Sequence, residues 1–276
     1  MSNIPNWTFN DGYAMPQIGF GIWQIAADEA AQAVSSAIKV GYRLIDGAHI
    51  YGNEKGMGEG VRQSSVPREE IFLTSKVWNG EHGKAKTRIA VERSLKVIGV
   101  DQLDLMLIHW PVPSHDLYLE TWKTLIELRD EGLVRSIGVS NFNRDHLERI
   151  IGETGVVPVL NQIEHNPRLQ QPELHKFHDE QGILVQSWTP LGQGASFDAE
   201  SITAACKRTG KSPAQVILRW NIQLGKAVIA RSVNPDRQAQ NLDVFDFELT
   251  QDEIAAISTL DVGWRTGPDP SVFKMV

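Results

Sequence analysis

Residues 41–54 read GYRLIDGAHIYGNE, and this stretch contains the pattern that the rest of the chain repeats. Residues 43–45 are short, largely apolar and suited to a β-strand. Asp46 stands where that strand should end, and Tyr51 follows among glycines that suit a loop. A carboxylate at a strand end with a phenol just beyond it is a candidate fragment of an active site.

Polar residues follow predicted strands at six further places in the chain. The strands at 71–75, 103–108, 134–139, 157–160, 183–187 and 226–230 lead into Lys76, His109, Ser140-Asn141, Asn161-Gln162, Trp188 and Arg231-Ser232. Amphipathic helices are predicted between strands, at 28–40, 86–98, 118–130, 144–151, 172–181 and 213–223, with a last helix beginning at Thr250.

Strands that alternate with helices indicate parallel βαβ units. Seven units are clear, and residues 242–244 are the candidate for an eighth short strand. The pattern predicts an α/β fold, a (β/α)8 TIM barrel with a short N-terminal β-hairpin at residues 7–18, spanning 1–276 as a single domain.

A doubly wound dinucleotide-binding fold should carry a glycine fingerprint after its first strand. The nearest candidate contains Gly56, Gly58 and Gly60, but it follows no strand and has the wrong spacing. We interpret it as a mobile turn or a helix start. The sequence also lacks a Walker A motif and a zinc-binding His-Glu-x-x-His motif, so no metal site is predicted.

Net charge and cysteine content limit the kinds of partner and compartment that suit the protein. The formal net charge of −7 and the pI near 5.6 argue against nucleic acid or an anionic membrane as the main partner. Cys206 is the only cysteine, which excludes an intrachain disulfide and fits a reducing compartment. No signal peptide or transmembrane run is apparent, so a cytoplasmic location is expected.

The active site of such a barrel lies at the carboxyl ends of its strands. Each polar strand-end residue has an ordinary structural explanation on its own, but together they predict one site. Within it, Lys76 should lower the pKa of the Tyr51 phenol, and Asp46 should hold Lys76 charged. With His109 orienting a substrate oxygen, the four residues suit protonation of a carbonyl that is being reduced, which also needs a hydride source.

Several motifs resemble those of the aldo-keto reductase family, close to its bacterial 2,5-diketo-D-gluconate reductase-like group. The similarity runs along nearly all of the chain and is specific in combination. The motifs lie at residues 45–46, 50–54, 74–78, 107–111, 137–142, 161–162 and 190–194.

The resemblance implies NADPH-dependent reduction of aldehydes or ketones, on sugar-derived or small keto compounds. It implies Tyr51 as general acid, Lys76 and Asp46 as groups that tune it, and His109 as the group that orients the carbonyl. It also implies NADPH (NADP⁺) bound across the barrel mouth without a Rossmann domain, in a chain that is most often a monomer.

The residues implied to bind the cofactor fall into four groups. The carboxamide would contact Ser140, Asn141 and Gln162, and the nicotinamide ring would stack on Trp188. The pyrophosphate would lie along Leu191, Gly192, Gln193 and Gly194, and the adenosine 2′-phosphate and adenine would contact Arg231, Ser232, Arg237 and Asn241. Two arginines beside a phosphate favour NADPH over NADH.

The substrate pocket is expected to be broad and open because the tail after Leu260 is short. Its expected walls are Phe20, Trp23, Trp78, His109 and Trp110, with Trp264 equally well explained by packing. Departures from the family pattern occur at Gly47, Ala230, Arg231, Gln240 and the pair His165-Asn166, and none of them removes a catalytic group.

Two other functions remain open. One is a Schiff-base aldolase that uses Lys76 at its strand end, although the neighbouring Asp46 should raise the pKa of that lysine. The other is an NADPH-binding sensor or interaction subunit without turnover.

Overall fold

Eight parallel strands form a closed barrel at the centre of the computed structural model, which describes residues 4–275. The strands, including an N-terminal hairpin, are β1 Asn6–Thr8, β2 Ala14–Pro16, β3 Ile18–Gly21, β4 Leu44–Asp46, β5 Phe72–Val77, β6 Leu103–Ile108, β7 Val134–Ser140, β8 Leu160–Glu164, β9 Leu184–Trp188 and β10 Ala227–Ala230. β1 and β2 pair with each other, while β3 to β10 follow one another around the barrel and β10 closes against β3. The predicted TIM barrel with an N-terminal hairpin is confirmed.

Ten α-helices accompany the strands within residues 4–275. They are α1 Ala30–Val40, α2 Glu54–Gln63, α3 Lys84–Ile98, α4 Tyr118–Asp130, α5 Arg144–Thr154, α6 Pro172–Gln181, α7 Glu200–Thr209, α8 Pro213–Gln223, α9 Pro235–Leu242 and α10 Gln251–Ser258. The seven predicted helices are confirmed, and α2, α7 and α9 were not predicted. The glycine triplet lies in α2, so it belongs to a helix and is not a mobile turn.

The expected eighth strand at 242–244 is wrong, because Leu242 ends α9 and the missing barrel strand is β3. β3 reads Ile-Gly-Phe-Gly. A Cβ atom on Gly19 or Gly21 would lie 2.6 Å from the side chain of Leu44 or Ile229 respectively. The two glycines leave room for these neighbours inside the barrel, but glycine has a low β propensity, which hides the strand in the sequence.

Side chains alternate between two buried layers because successive residues of a strand face opposite sides. Inside the barrel, Leu44, Leu107, Leu160 and Ile229 pack in one apolar cluster with residues of the hairpin region such as Met15. A second and larger cluster lies between the strands and the helices. The inner cluster fills the barrel and the hairpin closes its amino-terminal end, so polar residues facing inward are concentrated at the opposite end.

No helix in the described part of the chain is long and apolar enough to cross a membrane.

Close helix packing explains the glycines of α2. A Cβ atom on Gly58 would lie 1.8 Å from the carbonyl oxygen of Ile98 at the end of α3, and one on Gly56 would lie 2.6 Å from the Cβ of Ala30 in α1. Ordinary side chains at these positions would push the helices apart.

We therefore expect Gly58→Ala to lower the free energy of unfolding by ~2–3 kcal/mol, because the new methyl group meets backbone that cannot move alone. Urea denaturation would measure the change. Gly152→Ala is the matched control, since no atom within 4 Å opposes a Cβ there, and it should be neutral or slightly stabilising. Equal stability of the two variants would contradict this account.

Candidate active site

A buried ion pair joins Lys76 of β5 to Asp46 of β4 at the barrel mouth. Lys76 Nζ donates to Asp46 Oδ1 at 2.6 Å and to the carbonyl oxygen of Gly47 at 2.9 Å. Burial lowers the pKa of Lys76 by disfavouring the ammonium, while the charge of Asp46 opposes that shift. Each charge is shielded from water and depends on the other for compensation.

Tyr51 and His109 face each other beside this pair. The Tyr51 hydroxyl lies 3.4 Å from His109 Nε2, and Lys76 Nζ lies 5.3 Å from the centroid of the Tyr51 ring. Tyr51 is carried by a short 3-10 helix, His49–Tyr51, directly after β4, and His109 follows β6. The structure thus brings together the four predicted catalytic side chains from three separate parts of the chain.

The pKa of the Tyr51 phenol is raised well above 10, first because burial disfavours the phenolate and second because Asp46 is negatively charged. This direction is opposite to the lowering expected from Lys76. Burial of the phenol and the charge of Asp46 outweigh the lowering expected from Lys76. The phenol is therefore protonated at neutral pH.

His109 is buried and neutral at neutral pH. Its pKa lies well below 6.5 because of burial, the charge of Lys76 and the neighbouring His82. His109 Nδ1 has no hydrogen-bond partner among the described residues. A proton on Nδ1 would be an unpaired buried donor, so the tautomer with its proton on Nε2 costs less. Nε2–H then points toward the Tyr51 hydroxyl.

Amide and hydroxyl groups of the next strands form a network on the other side of Asp46. Gln162 Nε2 donates to Asp46 Oδ2 at 2.8 Å and to Gln186 Oε1 at 2.6 Å. Ser140 Oγ donates to the carbonyl oxygen of Gln162 at 2.7 Å, and Asn141 Nδ2 donates to Ser140 Oγ at 3.1 Å. The three residues expected to contact the carboxamide therefore lie together and adjoin the ion pair.

The indole of Trp188 lies across the end of β9 and is half-buried. Its Nε1 donates to Asn141 Oδ1 at 2.8 Å. Asn141 has a left-handed backbone with φ of 62°, a conformation that asparagine tolerates better than most residues. This bond fixes the plane of the indole, as a stacking platform requires.

The expected phosphate-binding residues lie farther along the rim. Leu191 precedes the short 3-10 helix Gly192–Gly194, in which Gly192, Gln193 and Gly194 all have positive φ. Arg231 and Arg237 are exposed, and no described carboxylate lies within 4.0 Å of either guanidinium.

Arg231 Nη1 does contact the carbonyl oxygen of Trp23, at 3.3 Å. Ser232 lies next to Arg231 and Asn241 is buried in α9. These groups fit the NADPH implied by the sequence, because two exposed guanidinium groups without a described carboxylate partner and a glycine-rich turn lie along one rim.

Some of the aromatic side chains expected to line the mouth do so, and others do not. Trp78 and Trp110 cluster there, with Trp78 edge-on to His109 at 5.1 Å between ring centroids. Phe273 of the tail packs on Trp110 at 4.3 Å. Asn79 Nδ2 also donates to the carbonyl oxygen of Met275 at 2.7 Å. The tail therefore crosses the mouth, and the expectation of a broad open pocket is wrong.

Phe20 does not line this pocket. It is fully buried in the outer layer, with its ring 5.8 Å from that of Tyr42. The residues that face inward from β3 are Gly19 and Gly21, one position out of phase with Phe20. Trp23 stands at the rim and is 49% exposed, whereas Trp264 packs under the Arg168 guanidinium at 4.9 Å. This contact favours packing as the explanation for Trp264, which is 38% exposed.

The departures from the family pattern have local explanations in two cases. A Cβ atom on Gly47 would lie 2.9 Å from Met57 Sδ, so α2 occupies the space of a side chain there. Asn166 packs against the turn at residues 191–194, with its Cγ 3.1 Å from the position of a Gly192 Cβ. The structure does not explain Ala230 or Gln240.

Three contributors to the mouth were missed from sequence. Glu164 ends β8, which was predicted to stop four residues earlier. Gln186 faces inward from β9 and binds Gln162, and Phe273 lies in a tail with no regular secondary structure. The period-two alternation of β9 could have identified Gln186, but no local pattern marks Phe273. Within residues 4–275 no cluster of His, Cys, Asp or Glu side chains is arranged to hold a metal ion.

Comparisons with known proteins identify the family of the chain and agree with its fold. A model of the aldo/keto reductase family matches residues 7–262. An aldo-keto reductase of Mycolicibacterium smegmatis is 49% identical over 98% of each chain, and the methylglyoxal reductase DkgA of Escherichia coli is 47% identical over 99% of each chain. A crystal structure of a Gox0644 mutant in complex with NADPH superposes with a TM-score of 0.95 at 46% identity, over 99% of this chain and all of that one.

His82, a buried histidine near the site, should make the stability of the fold decrease in acid. Burial lowers the pKa of His82 from 6.5 to about 4. Between these values the unfolded chain binds a proton that the folded protein does not, so stability falls as the pH drops below 6.5. At pH 5 the loss from His82 is ~2 kcal/mol, because one pKa unit corresponds to ~1.4 kcal/mol.

His82→Gln should therefore reduce, by about that amount, the stability that is lost between pH 7 and pH 5 in urea denaturation. His165 and His178, whose pKa values are lowered to about 3 and about 4, still titrate in both proteins and cancel from the difference. An unchanged pH dependence in the variant would show that His82 is not the group responsible.

Proposed function

This chain belongs to the aldo/keto reductase family and is an NADP(H)-dependent oxidoreductase, and we propose that it reduces aldehydes and ketones with Tyr51 as the general acid. The observation that carries this proposal is the 3.4 Å approach of the Tyr51 hydroxyl to His109 Nε2, backed by the buried pair of Lys76 and Asp46. A carbonyl oxygen that lies within hydrogen-bond distance of both the hydroxyl and Nε2 would accept a hydrogen bond from each.

Proton delivery is the task of Tyr51. Its raised pKa keeps the phenol protonated, and an alkoxide is a much stronger base than a phenolate, so transfer from the phenol is favourable once negative charge develops on the substrate oxygen. When bound at the mouth, NADPH supplies the hydride that creates this charge.

Lys76 acts after the proton has moved. Its ammonium lies 5.3 Å from the centre of the phenol ring, and it stabilises the phenolate that the transfer leaves behind. Asp46 and Gly47 hold the ammonium in place through bonds of 2.6 and 2.9 Å. His109 contributes direction, because a neutral imidazole with Nε2–H donates to the substrate oxygen without competing for the proton.

The cofactor would be held by the residues along the rim. We propose that Ser140, Asn141 and Gln162 bind the carboxamide, that Trp188 stacks on the nicotinamide and that the turn at 191–194 follows the pyrophosphate. Arg231, Ser232 and Arg237 would bind the 2′-phosphate, with Asn241 near the adenine. The supporting observation is that both guanidinium groups lie exposed with no described carboxylate within 4.0 Å.

Small carbonyl compounds are the proposed substrates. Phe273 rests on Trp110 and the tail bonds to Asn79, which narrows the mouth around His109. Relatives at 46–47% identity are named methylglyoxal reductases, and a short ketoaldehyde is small enough for a narrow aromatic entrance. Short aldehydes and 2-ketoaldehydes should therefore be better substrates than bulky ketones.

A Schiff-base aldolase is less well supported. Burial does lower the pKa of Lys76, as such an enzyme requires. However, Nζ is fully buried and is engaged by Asp46 and Gly47, so a substrate carbon could approach it only after both bonds break.

We expect Tyr51→Phe to reduce kcat for a ketoaldehyde by at least ~100-fold, because removal of a general acid typically costs ~10²–10⁴-fold. NADPH should still bind, since the phenol does not hold the cofactor. NADPH oxidation across a panel of short aldehydes, 2-ketoaldehydes, keto acids, sugars and aromatic aldehydes would measure turnover. Energy transfer from tryptophan to NADPH would measure binding.

Tyr13→Phe is the matched control, because Tyr13 is an exposed tyrosine of the hairpin region, and it should retain wild-type turnover. Undiminished turnover in Tyr51→Phe would refute the role of the phenol. Tight NADPH binding by the wild type without turnover on any compound would favour a sensor.

Cofactor preference should depend on the rim arginines. Arg237→Ala should raise the KM for NADPH by ~10-fold or more and change the KM for NADH little, because only NADPH carries the 2′-phosphate and a charge-assisted hydrogen bond contributes ~1.5–3 kcal/mol. Steady-state kinetics with both cofactors would measure this. Arg144→Ala, which breaks an exposed pair with Glu148, is the control. Equal changes in the KM for NADH and for NADPH would show that Arg237 does not bind the 2′-phosphate.

A further inference from the structure

Glu164 is a buried carboxylate at the mouth to which the proposed chemistry gives no role. It is the last residue of β8, is 1% exposed, and lies opposite Trp188 in the pairing of β8 with β9. No described Lys, Arg or His nitrogen comes within 4.0 Å of its carboxylate. A buried carboxylate without a cation must be satisfied by hydrogen-bond donors.

Those donors come from the C-terminal tail. Glu164 Oε1 accepts from the Thr266 backbone N–H at 2.7 Å and from Thr266 Oγ1 at 2.6 Å, and Oε2 accepts from the Gly267 N–H at 3.1 Å. Gln171 strengthens the attachment, since its Nε2 donates to the Glu164 carbonyl oxygen at 2.8 Å and its Oε1 accepts from Arg265 at 3.0 Å. Residues 265–267, which we call the anchored segment, are thus bound to the end of β8.

The anchored segment rests directly on the indole of Trp188. A Cβ atom on Gly267 would lie 2.5 Å from Trp188 Cη2 and 3.4 Å from Cζ2 and Cζ3. Only a glycine lets the backbone come this close to the six-membered ring. The other end of the indole is held by the bond from Nε1 to Asn141. Trp188 is therefore fixed at its pyrrole nitrogen by the barrel and at its benzene ring by the tail.

We propose that Glu164 is a positioning residue for Trp188, acting through the anchored segment, and that Gly267 sets how closely the tail approaches the indole. The inference rests on the proposed role of Trp188 as the surface on which the nicotinamide stacks. Loosening the anchor frees the tail from the ring, so the indole samples orientations that cannot stack on the nicotinamide. Cofactor binding weakens, while Tyr51, Lys76 and His109 stay in place.

Glu164→Gln tests the anchor with little change in volume. The glutamine amide brings its own N–H groups against the three donors of Thr266 and Gly267, so it cannot accept all of their bonds. We expect the Kd and KM for NADPH to rise by ~10-fold, with a kcat at saturating NADPH within ~3-fold of wild type. Energy transfer from tryptophan to NADPH gives Kd, steady-state kinetics separates KM from kcat, and a thermal melt reports stability.

Asp104→Asn is the matched control for the loss of a buried carboxylate. Asp104 is also buried in a barrel strand, but it binds Arg68, Arg135 and the Leu73 N–H away from the mouth. This variant should lower the melting temperature and leave the Kd for NADPH unchanged. If Glu164→Gln also lowered only the melting temperature, Glu164 would be merely structural and the proposal would be overturned.

Gly267→Ala tests the contact with the indole independently. Its methyl group should displace the tail from Trp188 and raise the Kd for NADPH, whereas Gly152→Ala should not. Because both substitutions act on one segment, the double variant Glu164→Gln with Gly267→Ala should show less than the sum of the two effects.

The outcomes separate this proposal from the proposed function. Wild-type turnover with unchanged NADPH affinity in Glu164→Gln and Gly267→Ala overturns the positioning role alone. If the wild type binds NADPH but turns over no carbonyl compound, carbonyl reduction is refuted. The NADPH affinities of Glu164→Gln and Gly267→Ala still test the role of Glu164 in that case. A wild type that does not bind NADPH overturns both.

Discussion

The buried pair of Lys76 and Asp46 is the interaction on which the rest of the mouth depends. Removing either partner would leave an uncompensated charge in a region closed to water, at a cost of ~3–5 kcal/mol. Gly47 and Gln162 complete the environment by bonding to the ammonium and the carboxylate respectively. The pair therefore links β4, β5 and β8, so the same bonds that stabilise the barrel end also set the electrostatic field around Tyr51.

Much of the fold and of the site was predictable because a parallel barrel converts position along the chain into position in space. Once Asp46, Lys76 and His109 were placed near strand ends, their convergence followed from the topology. The direction of the Tyr51 pKa shift did not follow. It depends first on the burial of the phenol and second on its distance from the Asp46 charge, which residue types alone do not specify.

The remaining prediction errors arise where glycines interrupt the apolar pattern of a strand, or where the chain has no regular secondary structure. β3 escaped prediction because its inward positions are Gly19 and Gly21, and the same error of one residue placed Phe20 on the wrong side of the barrel. A strand boundary set too early concealed Glu164. The tail contacts of Phe273 and Thr266 join residues about a hundred or more positions apart from their partners, and no local pattern encodes them.

The hairpin and the tail occupy opposite ends of the barrel. Asn10, in the hairpin turn, donates to the carbonyl oxygens of Pro158 and Gly182, which precede β8 and β9, whereas Asn79 binds the Met275 carbonyl beside the barrel mouth. This arrangement of the two ends matters when the protein is immobilised or tagged. Attachment to a bead or electrode through the hairpin end would leave the barrel mouth facing the solution, whereas a purification tag or fusion partner joined to the tail would lie close to that mouth and obstruct it.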